Sequence, residues 1–335
     1  MDETALPDGA EKDWDAAPMK KNSTVSVIMA TWNGTGYIGE QLDSLRRQTR
    51  QPEEVLIFDD CSADGTAEYI QEYISEYDLR NWNIQVNEIN LGWKRNFVQA
   101  MKQAKGELIF LCDQDDIWYP EKIQEMTAAM QDRPEILVLA CDYQVVYRDG
   151  AIRAKVYRKR GIEKRSEVAP YRFTRNFFKN PNPGCSFVIR KSFLNQVIDL
   201  WFAEAPHDEF LWLMAAMRDG AFFLNRKLMD YIRYGGNSSD IRYKDIPAQQ
   251  KNLEYISHML TIMADYGIRN ADQVTEQKAA LIREAKTWCG KRKKLMETGN
   301  PVRWLLMMPW WGFYNSFANC LSDLYLVLFG SFRRS

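Results

Sequence analysis

The sequence of 335 residues predicts an α/β fold, with a mostly parallel central sheet flanked by helices and a helical extension behind it. Two observations carry that prediction. Apolar, β-branched runs alternate with helical segments up to about residue 145, the pattern of βαβ units. Beyond about residue 246 the periodicity becomes helical throughout. In order, Val25–Ala30 is an apolar strand, and Tyr37–Gln48 is a helix with Ile38, Leu42 and Leu45 on one face, ended before Pro52. Val55–Phe58 is a second strand; Thr66–Tyr77 is a helix with Tyr69, Ile70, Tyr73 and Ile74 at helical spacing. Asn83–Val86 is a weaker strand and Trp93–Ala104 a helix. Glu107–Cys112 is a strongly apolar strand, followed by helix Pro120–Gln131 and strand Ile136–Val146.

Composition narrows the function. Hydrophobic residues make up 46% of the chain, enough for a large core, and a net charge of −1 gives no global attraction for nucleic acid. Six cysteines (Cys61, Cys112, Cys141, Cys185, Cys289, Cys320) form no CxxC pair and read as reduced thiols of a cytosolic protein. Residues 1–22 are acidic and poor in aliphatics, which predicts a disordered tail without a secretory leader. With only His207 and His258, a multi-histidine metal centre is excluded, so a divalent ion would be held by oxygen, as suits Mg²⁺ or Mn²⁺. The predicted division is a tail over 1–22, an α/β domain over 23–245 and a helical region over 246–335. The basic, irregular stretch 150–180 reads as a loop.

Ligands of open parallel sheets bind beyond the carboxyl ends of the strands. Those tips carry Thr31-Trp32-Asn33, then Asp59-Asp60-Cys61-Ser62-Ala63-Asp64-Gly65-Thr66, then Asp113-Gln114-Asp115-Asp116. Three carboxylates within four residues repel one another in a partly dry site, and a divalent cation relieves that repulsion. Asp116 has an alternative use as an acidic cap for the helix at Pro120. Asp59 and Asp60 offer acceptors to a base or ribose, while Asp64-Gly65-Thr66 reads as a turn and helix start. One spelling points elsewhere. Gly34-Thr35-Gly36-Tyr37-Ile38-Gly39 matches G-x-G-x-x-G, a fingerprint of dinucleotide sites. Yet Thr31, Trp32 and Asn33 separate the strand from the first glycine, and Tyr37-Ile38 are bulky. A turn that opens a helix is the better reading.

At this point the residues resemble a known family. VSVIMATWNG, VLIFDDCSADGT, INLGWKRNF and GELIFLCDQDDIWYPEKI are similar to motifs of the family-2 glycosyltransferases of GT-A fold, closest to their rhamnosyltransferase-like branch. The resemblance covers roughly residues 24–240. It implies that Thr31 and Asn33 lie in the loop around the nucleotide, and that Asp60 pairs with the base. Asp113-Gln114-Asp115 resembles the DxD motif, with Asp115 as metal ligand and Asp113 beside it or on the donor sugar. Asn90, Gly92, Arg95 and Asn96 resemble the stretch that shapes the donor pocket. Pro183-Gly184-Cys185-Ser186 resembles the block next to the acceptor. Ala205-Pro206-His207-Asp208-Glu209 resembles the segment with the catalytic base, Asp208, with Glu209 as its rival. A departure lies at Arg233-Tyr234-Gly235-Gly236-Asn237, where glycine replaces the family's histidine and leaves Arg233 as the nearest cation.

The implied activity is inverting transfer of rhamnose or a related hexose from a nucleoside-diphosphate sugar, assisted by Mg²⁺ or Mn²⁺. The implied acceptor is a hydroxyl of a growing, lipid-linked bacterial surface polysaccharide. His207-Asp208 also reads, from pattern alone, as a helix start after Pro206. Trp304–Ser322 lacks charge over the length of a membrane span, but Pro309, Gly312, Asn315 and Asn319 interrupt it. Its aromatics and the basic flanks Lys291-Arg292-Lys293-Lys294 and Arg333-Arg334 suit peripheral contact of residues 304–330 with the inner face of the cell membrane; a packed helical pair or a homodimer contact is the alternative. Two rival functions use the same residues: an NAD-dependent oxidoreductase, resting on the glycines, and a non-catalytic nucleotide- or glycan-binding protein.

Overall fold

The computed structural model describes residues 23–148, 167–179, 182–234 and 245–329. The expected tail over 1–22, most of the loop over 150–180, Gly235-Gly236-Asn237 and Arg333-Arg334 lie outside these residues.

The alternation expected from the sequence is present. Strand β1 (Val25–Thr31) leads to helix α1 (Ile38–Arg46), β2 (Glu54–Asp59) to α2 (Thr66–Glu76), and β3 (Trp82–Val86) to α3 (Trp93–Gln103). Next come β4 (Leu108–Asp113), the two-residue β5 (Ile117–Trp118), α4 (Lys122–Asp132) and β6 (Val138–Tyr147). The second half adds β7 (Val168–Pro170), β8 (Phe187–Arg190), α5 (Lys191–Val197), α6 (His207–Met217) and the long β9 (Ala221–Arg233). The chain then turns helical with α7 (Ile246–Arg269), α8 (Glu276–Thr298), α9 (Val302–Leu305) and α10 (Phe317–Phe329).

The sheet order is β3-β2-β1-β4-β8-β6-β9-β5, with β7 paired to β9. Its first half is parallel, as crossover helices require; β8 enters antiparallel to both β4 and β6. Val25, Val27, Ile28 and Met29 are fully buried on both faces of β1, which explains a continuous apolar run where a one-sided strand would alternate. In register, Thr31 lies opposite Asp59 and Ala30 opposite Asp113, so the polar tips of β1, β2 and β4 meet at one edge.

Two of the three glycines of the G-x-G-x-x-G spelling, Gly34 and Gly39, have packing roles, while Gly36 faces open space. A Cβ on Gly34 would come within 2.6 Å of Gln114 Oε1, and one on Gly39 within 2.7 Å of the Tyr69 hydroxyl. Gly34 N donates to Thr66 Oγ1 at 2.7 Å, and Tyr37 and Ile38 amides bond back to its carbonyl. The first glycine is thus a close-packed turn against the β4 tip. Nothing in this arrangement forms a dinucleotide cradle.

Asp116 does not cap α4, whose N-cap position is Glu121. Its Oδ1 instead accepts from Ile232 N of β9 at 3.2 Å. The helix start at His207 is as expected, after Pro206 and with Asp208 and Glu209 in the first turn.

Residues 304–322 are broken into α9, a 3₁₀ turn over Met308–Phe313 and the start of α10. Among the described residues no helix is long and apolar enough to cross a membrane.

Candidate active site

Three loops at the carboxyl ends of β1, β2 and β4 build the site, and each predicted residue has a definable local duty. Thr31 Oγ1 donates to Asp59 Oδ2 at 2.9 Å, and the Ser62 amide and hydroxyl donate to the same carboxylate at 2.9 and 2.6 Å. Asn33 adopts φ +46°, its amide donating to Ser62 Oγ at 2.8 Å and its Oδ1 accepting from Ala63 N at 2.9 Å. These bonds lock the β1 loop onto the β2 loop. Asp60, 2% exposed, accepts from Asn87 Nδ2 (2.9 Å), Leu91 N (2.8 Å) and Gly92 N (2.8 Å). It therefore shapes the turn into α3, where Gly92 has φ +79°. Three of its roughly four acceptor positions are used, leaving one for a ligand. Asn96 completes this floor, donating to the Phe58 carbonyl at 2.7 Å.

Gln114, the residue between the two predicted metal-motif aspartates, clamps the β1 loop. Its Oε1 accepts from Trp32 N at 2.8 Å and its Nε2 donates to Trp32 O at 3.0 Å. Trp32 itself stays 53% exposed beside the site.

The carboxylates sort into an inner and an outer set. Ligand atoms of Asp113, Asp116 and Cys185 lie within 4.8 Å of one another. Asp116 is 1% exposed, and its Oδ2 has no partner beyond the neighbouring thiol. Asp113 and Asp115 are only partly buried, at the rim. Burial first, then the neighbouring carboxylates, pushes the Asp113 and Asp116 carboxyls well above their usual range. Burial raises Asp115 to about 6, held back by its own backbone hydrogen bond and by the Arg233 guanidinium. Burial also pushes up the Cys185 thiol, which stays protonated and is a poor ligand for a hard ion. The oxygens of Asp113 and Asp115 suit Mg²⁺ or Mn²⁺; Asp116 is turned inward.

Lys122 compensates this acidity. It is fully buried, with Nζ donating to Cys185 O at 2.7 Å and lying 3.7 Å above the Trp118 ring centroid. Its ammonium lowers the pKa of Asp113, Asp116 and Cys185 alike. Sequence reading missed this residue, although a signal was there. Lys122 falls on the buried stripe of α4 with Ile123, Met126, Thr127 and Met130, where a lysine needs a partner.

The second block comes from α6. Asp208 is partly buried, and its charge bears on Asp113, so the two belong to one site. Gly184 permits that approach, because a Cβ there would come within 2.9 Å of Asp208 Cβ. Burial raises Glu209 to about 7, with Asp208 adding to the shift and Tyr255 opposing it by a hydrogen bond. Lys94, also missed from sequence, bonds the Glu204 carbonyl and lies in the field of Asp208 and Glu209. His207 is 3% exposed and stacked on Phe97 at 4.3 Å between ring centroids. Burial lowers its pKa to about 4, so it is a neutral core histidine.

Two predicted cations part company. Arg233, at the end of β9 and 9% exposed, bears on Asp115. Arg95 is exposed on α3 and makes no ion pair among the described residues.

An αβα scaffold with acidic strand tips places the candidate site where open α/β sheets bind their ligands. The chain belongs to glycosyl transferase family 2, whose profile matches residues 26–197. A dTDP-rhamnosyl transferase of Shigella flexneri is 28% identical over 214 residues, covering 59% of this chain and 68% of its own. Curated mycobacterial relatives match at 35% identity over 129 residues, which is 37% of their own length. Among solved structures, residues 1–349 of TarS from Staphylococcus aureus with UDP-GlcNAc align at TM-score 0.58 and 21% identity, covering 91% of this chain and 81% of that one. A mannosyltransferase from Pyrobaculum calidifontis with GDP-Man and Mn²⁺ aligns at TM-score 0.50 and 13% identity, covering 97% and 92%. The central sheet flanked by helices is therefore the GT-A fold, and the G-x-G-x-x-G segment belongs to it.

Proposed function

We propose that this protein transfers rhamnose or a related hexose, with inversion, from a nucleoside-diphosphate sugar to a hydroxyl of a lipid-linked surface glycan. One observation supports the reading: Asp208 of α6 packs against Gly184, beside the Asp113–Asp116–Cys185 cluster, and Asp115 and Asp208 both raise the Asp113 carboxyl. The Shigella relative named for dTDP-rhamnosyl transfer and the neighbours bound to UDP-GlcNAc or GDP-Man with Mn²⁺ support the donor class.

Thr31, Asn33 and Asp60 frame the nucleotide, the last through its remaining acceptor capacity. Asp115 and Asp113 would hold Mg²⁺ or Mn²⁺, which neutralises the negative charge that develops on the departing diphosphate. Arg233 adds a fixed positive charge on the same side, and Arg95 can join it only by reorienting from solvent. An acceptor hydroxyl has a pKa far above neutrality, so its proton must leave as the glycosidic bond forms. Asp208 takes it, at the oxygen not bonded to Glu209 N. Glu209 is the rival, and its carboxyl is engaged by a hydrogen bond from Tyr255. The enzyme would work in the cytoplasm, peripheral to the membrane that carries its acceptor.

The test is a thermal-shift and transfer assay with UDP-, dTDP- and GDP-linked sugars, with and without Mn²⁺. Asp115→Ala should abolish the Mn²⁺-dependent shift. Asp208→Asn should keep that shift while turnover drops about 10²- to 10⁴-fold. Full turnover in Asp208→Asn overturns the base assignment, and donor binding without any turnover in the unaltered protein favours a non-catalytic binder.

A further inference from the structure

The C-terminal segment buries one side and leaves the other bare. On α10, Cys320, Asp323, Leu326 and Val327 face the protein, while Phe317, Leu321 and Tyr325 form an i, i+4, i+8 stripe in solvent. Tyr325 is 63% exposed, and Leu305 and Leu306 before it are 61% and 60% exposed. Trp311 joins the 3₁₀ turn to this stripe through an edge contact with Phe317 at 6.4 Å. Singly exposed apolar residues are ordinary; a continuous run of large ones marks a contact surface.

The charges around it select the partner. From Thr298 to Phe329 the charged side chains are Arg303 and Asp323, and Asp323 is 1% exposed and paired with Arg292. Lys291 lies over the Trp310 ring at 4.8 Å, and Lys294 is exposed on the same last turns of α8. That edge carries the exposed Lys291 and Lys294, with Lys293 half-buried, against one exposed carboxylate, Glu297, so among the described residues it is net cationic. Isologous pairing with a second copy would bring these cations together across the interface. A sheet of anionic headgroups over an acyl layer complements both features. Among the described residues α10 covers about 20 Å at 1.5 Å per residue, short of a bilayer core, and its buried side is held by the protein, so the contact it offers is along a surface.

We infer that the face formed by Trp311, Phe317, Leu321 and Tyr325 docks this protein onto an anionic phospholipid bilayer. It deepens the reading of a lipid-linked acceptor and rests on it only for its purpose; the docking is tested without donor or transfer. The experiment is flotation of the full chain with phosphatidylcholine vesicles, with and without phosphatidylglycerol. Flotation is expected to be stronger with phosphatidylglycerol than without it, and to fall towards the phosphatidylcholine level on raising salt, since salt screens the cations and leaves the apolar part. Leu321→Gln/Tyr325→Gln, on exposed positions, should keep the far-ultraviolet circular dichroism and weaken flotation about tenfold or more. Failure to float with either vesicle overturns the inference. So does a doubled mass by light scattering that the same double variant returns to monomer, which would assign the face to a second copy.

Discussion

At the C-terminal helices, Asp323 uses every acceptor position it has: Arg292 Nε and Nη2 at 2.6 and 2.9 Å, the Tyr314 hydroxyl at 2.8 Å and Gln249 Nε2 at 3.2 Å. At the β4 tip, one buried ammonium, Lys122, bears on Asp113 and Asp116, and Asp116 Oδ2 has only a thiol beside it. Both nodes bury a cation with carboxylate. The first is balanced and fully bonded, which suits a fastener that holds α7, α8 and α10 together. The second crowds carboxyls whose pKa values burial and mutual repulsion push up, so ionising them costs stability in the empty protein and leaves something for a cation to satisfy. Charge balance and acceptor count separate a structural node from a functional one, whereas burial alone does not.

That contrast can be broken by experiment. The largest effect is expected at the fastener. Arg292→Met leaves Asp323 buried and unpaired, and should lower unfolding free energy by about 3–5 kcal/mol in urea titrations. Lys122→Met should cost less, about 1–3 kcal/mol, because its aspartates can take up protons instead. Its cost should also be smaller at pH 6 than at pH 8. Equal, pH-independent losses at both sites would remove the distinction.

His207 supplies a pH test beside the candidate base. Its folded pKa of about 4 lies below the ordinary 6.5, so the unfolded chain binds more protons between those values. Stability from this group is complete above about pH 6.5 and is lost as pH falls towards 4, at most about 3 kcal/mol. His207→Phe, which keeps the stacking on Phe97, should remove that acid-side slope; an unchanged slope would mean that His207 titrates normally. The smallest effect has the opposite sign. Asp113→Asn should raise stability of the metal-free protein by about 1 kcal/mol at pH 8, by easing repulsion, while abolishing the Mn²⁺-dependent shift. A destabilised Asp113→Asn variant would count Asp113 among the fasteners.

The legible part of this molecule was the local part. The strands and helices up to Tyr147 fall within a few residues of their expected bounds, because apolar runs and helical spacing are properties of neighbouring residues. The acidic tips were legible for the same reason. The use of individual side chains was not. Asp60, expected on the base, also organises the turn before α3; Asp116, expected in the cation cluster with a helix cap as its alternative, ties down β9; Gln114, placed only within the DxD resemblance, clamps Trp32.

By itself the sequence determined the α/β alternation, the acidic strand tips and the absence of a continuous span in residues 304–322, since each depends on residue order over a few turns of chain. Only the tertiary structure decided that β8 enters antiparallel, that Lys122 sits beneath the aspartates and that Asp208 comes to the same rim as Asp113. Those relations join residues dozens of positions apart. They follow from how sheets and helices exclude water together, which no local pattern encodes.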